Sequence, residues 1–186
     1  MEKGFGISGK VFPNRIHLLG ENQEAIAKDL SAMGDLCMKL GDKLKYLEYK
    51  ERSLKIRINL SGENIGHNSL LMHNLAVVYH EVGKSQKSIE YHEKALKIRL
   101  ELFGENNEHT ANSFNNTGLV YREIGNLKKA EEYYECALKL RMKLFGENSK
   151  EVLCTLNELQ QLFEQKGDIN KSLEYQKRKL ICLGKQ

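Results

Sequence analysis

Gly104-Glu105-Asn106 recurs as Gly20-Glu21-Asn22, Gly62-Glu63-Asn64 and Gly146-Glu147-Asn148, at a constant step of 42 residues. A period in the range of about 20 to 50 residues marks stacked supersecondary units, each of which buries its apolar face against its neighbours. The tripeptide also has a local role. It follows apolar and basic runs such as Lys97 to Phe103, so its glycine falls where a helix stops and the chain takes a positive φ at no Cβ cost. Polar residues suited to starting a helix come next, as in Asn106-Asn107-Glu108.

Three more ladders run in the same register. Glu-Tyr returns at 48–49, 90–91, 132–133 and 174–175, glycine at Gly41, Gly83, Gly125 and Gly167, and leucine at Leu54, Leu96, Leu138 and Leu180. Between each Gly-Glu-Asn and the mid-repeat glycine the apolar residues follow a helical period, as with Leu71, Leu75, Val78, Tyr79 and Val82. This reading predicts A helices near 23–40, 66–82, 108–124 and 150–166, and B helices near 43–60, 86–103, 128–145 and 169–183. The repeats then span about 22–63, 64–105, 106–147 and 148–186, with a partial repeat at 14–21, since Arg15 keeps step with Arg57, Arg99 and Arg141. Residues 1–13 match no repeat and are expected to form a flexible leader. Gly4, Gly6, Gly9 and Lys10 imitate phosphate-binding loops, but only Met1-Glu2-Lys3 precede them, too few for the required strand, and Val11 stands where a P-loop has Ser or Thr.

The 186 residues contain a single proline, Pro13, which leaves room for long helices. Charged residues make up 29% and hydrophobic ones 40%, a balance that suits amphipathic helices, and no stretch reaches transmembrane length. The net charge of +4 is small for a nucleic-acid binder, and the A helices carry few cations. Cys37, Cys136, Cys154 and Cys182 lack any C-x-x-C spacing, and Cys37 takes a place held elsewhere by Tyr79, Tyr121 and Phe163, so it is read as a small buried hydrophobe. Reduced thiols and the absence of a signal-peptide core suggest a cytoplasmic protein.

Asn116-Thr117-Gly118-Leu119-Val120-Tyr121, with Gly125, Ala130, Tyr134 and Ala137, resembles the tetratricopeptide repeat. With Ala95 to Arg99 and the Leu-Phe-Gly-Glu runs at 102–105 and 144–147, the likeness extends to the 42-residue variety of kinesin light chains. The resemblance implies an all-α, right-handed superhelical solenoid of antiparallel helix pairs. It places Gly118, Ala130 and Ala137 where helices cross closely, with Tyr121 and Tyr134 filling the space between. Tyr46, Gln160 and Lys179 replace small residues of this pattern, so looser packing is expected in the outer repeats.

No nucleophile is paired with a base by any interpretable spacing, so neither an enzyme nor a cofactor is expected. His73 and His80 share a helix face, yet no third ligand accompanies them, and no metal site is expected. The basic row Lys55-Arg57, Lys97-Arg99 and Lys139-Arg141 lies near helix carboxyl ends and is read as complementing the helix dipole. The family likeness points to a scaffold that binds a partner peptide on its A helices. Leu70, His73, Asn74, Val77 and His80 would line the groove in repeat two, and Asn112, Asn115, Asn116, Leu119 and Arg122 in repeat three. The asparagine amides suit a peptide backbone, and Arg122 suits an acidic ligand. Ser31 and Asp35 replace the lysine and asparagine that clamp a free carboxyl terminus in related scaffolds, so an internal segment is expected. The alternative is a structural fragment of a larger repeat-containing signalling protein, with no ligand of its own, that self-associates through apolar ends such as Leu180, Ile181 and Leu183.

Overall fold

Helical periodicity in the sequence becomes eight α-helices in the computed structural model, which describes residues 23–61 and 66–184 and contains no strand among them. The leader at 1–13, the partial repeat at 14–21 and the Gly-Glu-Asn copies at 20–22 and 62–64 lie outside the described residues. The helices are α1 (Gln23–Lys39), α2 (Lys43–Ser61), α3 (Gly66–Glu81), α4 (Ser85–Phe103), α5 (Glu108–Glu123), α6 (Leu127–Phe145), α7 (Lys150–Lys166) and α8 (Ile169–Leu183). Odd-numbered helices are the expected A helices and even-numbered ones the B helices, with bounds within a residue or two of the sequence reading.

Helix ends have local causes. Gly104 ends α4 at φ 71° and returns its N–H to the Leu100 carbonyl, while Gly125 turns α5 into α6 at φ 79°. Asn107, Asn126, Ser149 and Asp168 then cap α5 to α8, each side chain accepting a backbone N–H from the first turn.

The chain forms two compact units, Met1–Glu63 and Asn64–Gln186. In the first, α1 and α2 pack along Ala27, Leu30, Cys37, Leu47 and Leu54, all buried. Burial pushes the Cys37 thiol up, as fits a residue used for its volume. Packing here is not loose. Tyr46 is buried, and Gly34 admits the stem of Lys50, whose ammonium reaches Ser31 Oγ at 2.7 Å and Asp35 at 2.8 Å. The sequence shows Tyr46 in place of alanine, but not that Gly34 makes room for Lys50 beside it.

In the second unit the pairs α3/α4, α5/α6 and α7/α8 follow one another, with α4 packed on α5 and α6 on α7. Val120, Tyr121, Ala130, Tyr134, Leu138, Leu156, Leu159 and Phe163 belong to one continuous core. Burying a leucine such as Leu156 stabilises by about 1.5 to 3 kcal/mol. Gly118 lies against Tyr134, and a Cβ built on it would stand 2.9 Å from Tyr134 Cδ1, so the expected close crossing is present. Repeat four makes its crossing polar instead, with Lys179 Nζ donating to Asn157 at 2.7 Å and to Gln160 at 2.9 Å.

Candidate functional site

α3 buries Leu71, Met72, Leu75, Ala76, Val78 and Tyr79 and turns its remaining stripe outward. On that stripe Leu70 is 49% exposed and Val77 36% exposed, with Asn74 exposed between them. On α5 the corresponding Asn116 and Leu119 are half-buried. The two helices meet through His80, whose Nε2 contacts the Glu123 carboxylate. Leu70, Asn74, Val77 and Asn116 therefore lie on successive A helices outside the buried core, and Leu119 beside them packs partly against it.

The remaining candidates have partners within the fold. His73 packs edge-on to His92, ring centroids 5.3 Å apart. Burial holds the His73 imidazole down to about 4, reinforced by the charges of Arg99 and His109. Burial likewise holds His92 at about 3, with His73, Arg99 and His80 adding to it. Asn112 and Asn115 both accept from Arg141, at 2.7 and 3.1 Å, and Asn115 is buried. Arg122 forms an ion pair with Glu158 at 3.0 Å and donates to Gln161 at 2.7 Å.

Sequence reading missed the work of the arginine row. Arg99 and Arg141 are buried, not laid along their own helix ends. Arg99 donates to Ser113 Oγ and to the His109 carbonyl on α5. Besides the two asparagines, Arg141 donates to Thr155 Oγ1 at 2.7 Å and to the Glu151 carbonyl at 3.1 Å on α7. Each arginine thus fastens its repeat to the next. The signal was present in the spacing, because Ser113 and Thr155 are themselves 42 residues apart.

A second missed feature is a set of stacked rings joining A helix to B helix in the three pairs of the second unit. Tyr79 stacks on Tyr91 at 5.6 Å, Tyr121 on Tyr133 at 5.4 Å, and Phe163 on Tyr175 at 5.5 Å. Lys87, Lys129 and Lys171 lie over the first ring of each pair, 4.9, 4.7 and 4.6 Å from its centroid. Burial pushes the Tyr133 and Tyr175 phenols well up, with Glu93 and Glu135 respectively adding to the shift.

No group of three or more His, Cys, Asp or Glu among the described residues is placed to hold a metal ion. No helix among them is long and apolar enough to cross a membrane.

Residues 68–143 and 118–178 match the tetratricopeptide repeat family. No curated protein matches the sequence. Among solved structures, BtubC (BKLC) from P. vanneervenii superimposes with a TM-score of 0.79 at 21% identity, over 96% of this chain and 71% of that one. A kinesin light chain-type protein of Podosopora anserina with nearly identical TPR-like repeats gives 0.80 at 16% identity, over 96% and 85% of the two chains. MamA gives 0.63 at 18% identity, over 95% and 86%.

Proposed function

We propose that this chain, which belongs to the tetratricopeptide repeat family and has the fold of its kinesin light chain-type members, holds an internal segment of a partner protein along α3 and α5. The observation that carries this reading is the outward stripe of Leu70, Asn74 and Val77 on α3, continued on α5 by the half-buried Asn116 and Leu119. The amides pair with peptide N–H and C=O groups whatever the peptide sequence, and the aliphatic side chains add apolar contact. Arg122 brings Glu158 with it, so an acidic ligand gains from Arg122 only by competing with that carboxylate. His73, Asn112 and Asn115 support the groove from behind, and His80 joins its two helices. In this reading the protein is a cytoplasmic scaffold, not an enzyme, and it needs no cofactor, metal, nucleic acid or membrane.

The test is the double substitution Asn74→Ala with Asn116→Ala, applied to a partner first captured from native lysate. We expect unchanged far-UV circular dichroism and about a tenfold loss of affinity, from two hydrogen bonds of about 0.5 to 1.5 kcal/mol each. Full binding by the folded double variant, with loss on substituting exposed B-helix residues, would place the site elsewhere.

A second reading, self-association, is favoured by α8. Leu180 is 63% exposed, whereas its equivalents Leu96 and Leu138 are 6% and 3% exposed, and Ile181 and Leu183 are exposed beside it. Leu183 also stands where Arg99 and Arg141 stand, replacing a polar fastening with an apolar surface. Sedimentation that stays monomeric over a wide concentration range rules this reading out.

A further inference from the structure

The stacked ring pairs differ in one respect. Lys94 lies over Tyr91, 5.8 Å from its centroid, and Arg178 lies over Tyr175 at 5.5 Å, so the second ring of these two pairs also carries a cation. The residue equivalent to Lys94 and Arg178 in the middle pair is Cys136, and the residue one repeat earlier is Arg52. Among the described residues no cation is stacked on Tyr133. The same substitution removes an ion pair. Glu48 pairs with Arg52 at 3.7 Å and Glu90 with Lys94 at 2.8 Å, each four residues apart on one helix, whereas Glu132 has Cys136 in that place.

The short side chain leaves space. A cavity of about 300 Å³ opens between α4, α5 and α6, lined by Leu96, Phe114, Lys129, Glu132, Tyr133 and Cys136. Leu96 and Phe114 supply an apolar floor and Tyr133 an aromatic wall. The surroundings are acidic on balance. Glu93 accepts from the Tyr133 hydroxyl at 3.2 Å and from Tyr121 at 2.6 Å, and Glu105, Glu132 and Glu135 act on the Cys136 thiol against one lysine, Lys139. Lys129 does not close the site to a cation. Its ammonium is held by the Tyr121 hydroxyl at 3.0 Å and by the Tyr121 ring, as Lys87 and Lys171 are held over the first rings of pairs that carry a second cation.

We propose that the cavity beside Tyr133 and Glu132 is a docking site for an arginine side chain of a partner protein, supplying from outside the cation that Lys94 and Arg178 supply from within. Arginine fits better than lysine because a planar guanidinium can lie flat on Tyr133 while donating to Glu132. The site shares no residue with the stripe on α3 and α5, so it stands whether or not that stripe binds a peptide.

The probe is the capped peptide acetyl-Ala-Arg-Ala-amide, titrated into the full chain to millimolar concentration and followed by nuclear magnetic resonance of the tyrosine rings and the Cys136 methylene. The control is the same peptide with neutral citrulline in place of arginine. Saturable shifts confined to Tyr133, Phe114 and Cys136 are expected, with citrulline weaker by about fivefold through loss of the cation–π and charge-assisted contacts. Cys136→Arg should abolish the shifts by filling the cavity with the chain's own cation, Cys136→Ser should keep them, and Glu132→Gln should weaken them about threefold. Circular dichroism shows whether Cys136→Arg is folded; if it is not, Glu132→Gln and the citrulline comparison decide. Equal binding of arginine and citrulline peptides, unaltered shifts in a folded Cys136→Arg or in Glu132→Gln, or no shift at these residues each overturn the proposal. Spermidine shifting the same signals as strongly as the peptide would overturn the assignment to a guanidinium.

Discussion

Where α4 meets α5, Arg99 reaches one hydroxyl and one carbonyl; where α6 meets α7, the equivalent Arg141 reaches Asn112, Asn115, Thr155 and the Glu151 carbonyl. Repeat two faces its arginine with His73, whereas repeat three has Asn115 at that position. The helix crossings differ in step. Ala76 and His92 stand in repeat two where Gly118 and Tyr134 stand in repeat three, the smaller residue opposite the larger ring. A repeated backbone therefore tolerates side-chain drift when it happens in compensating pairs. The two solutions are not equivalent in electrostatics. Repeat three surrounds a buried guanidinium with acceptors, while repeat two places it near two imidazoles that must stay neutral.

The sharpest way to break this comparison is to remove each arginine in turn. Arg141→Met should destabilise by about 3 kcal/mol, because several buried acceptors lose their donor, and Arg99→Met by about 1 to 2 kcal/mol. Equal shifts in urea midpoint for the two variants would show that acceptor number does not set the strength of the junction. Next in size, Gly118→Leu should cost about 1 to 3 kcal/mol by forcing Tyr134 aside. An unchanged denaturation midpoint would mean the crossing is softer than its geometry.

Acidification from about pH 6.5 to 5 probes repeat two, before carboxylates such as Glu131 begin to take up protons. His73 and His92 are held far below the ordinary value of 6.5, so as pH falls below 6.5 the unfolded chain takes up protons that the folded chain refuses. Stability should fall from about pH 6.5 down to the folded values near 4 and 3, with a limiting slope of about 1.4 kcal/mol per unit for each histidine. The combination Ala76→Gly, His73→Asn and His92→Tyr transplants the solution of repeat three and should flatten this slope in thermal melts at pH 7 and 5. A slope that persists assigns the acid sensitivity to other groups. The smallest effect is expected from Asn74→Ala with Asn116→Ala, within about 0.5 kcal/mol for each exposed or half-buried amide. A larger loss in the melting curve would mean that these amides hold the fold together.

Much of the architecture was legible because a 42-residue ladder reports on backbone and core together: Gly104 and Gly146 end their helices at φ 71° and 83°, and Leu96 and Leu138 are both buried. The family likeness also suggested which stripe of α3 faces outward. It could not say which polar side chains on α5 were already engaged, since Asn112 and Asn115 are taken by an arginine 29 and 26 residues away in sequence. Proximity to a helix end suggested that Arg99 and Arg141 complement the dipole, and their burial under the next helix overrides that local argument. Cys136 was visible as the odd member of a column containing Arg52, Lys94 and Arg178. That Lys94 and Arg178 of this column lie over tyrosines needed the structure.

Each junction arginine finds its acceptors on the next repeat only 10 and 14 residues further along the chain, from Arg99 to His109 and Ser113 and from Arg141 to Glu151 and Thr155. Contacts this local carry a small loop-closure penalty and favour fast, stepwise assembly. On a ribosome, a finished repeat would present its guanidinium to the next A helix almost as soon as that helix emerged. Repeats three and four would then be added in the direction of synthesis, each held by the one made before it.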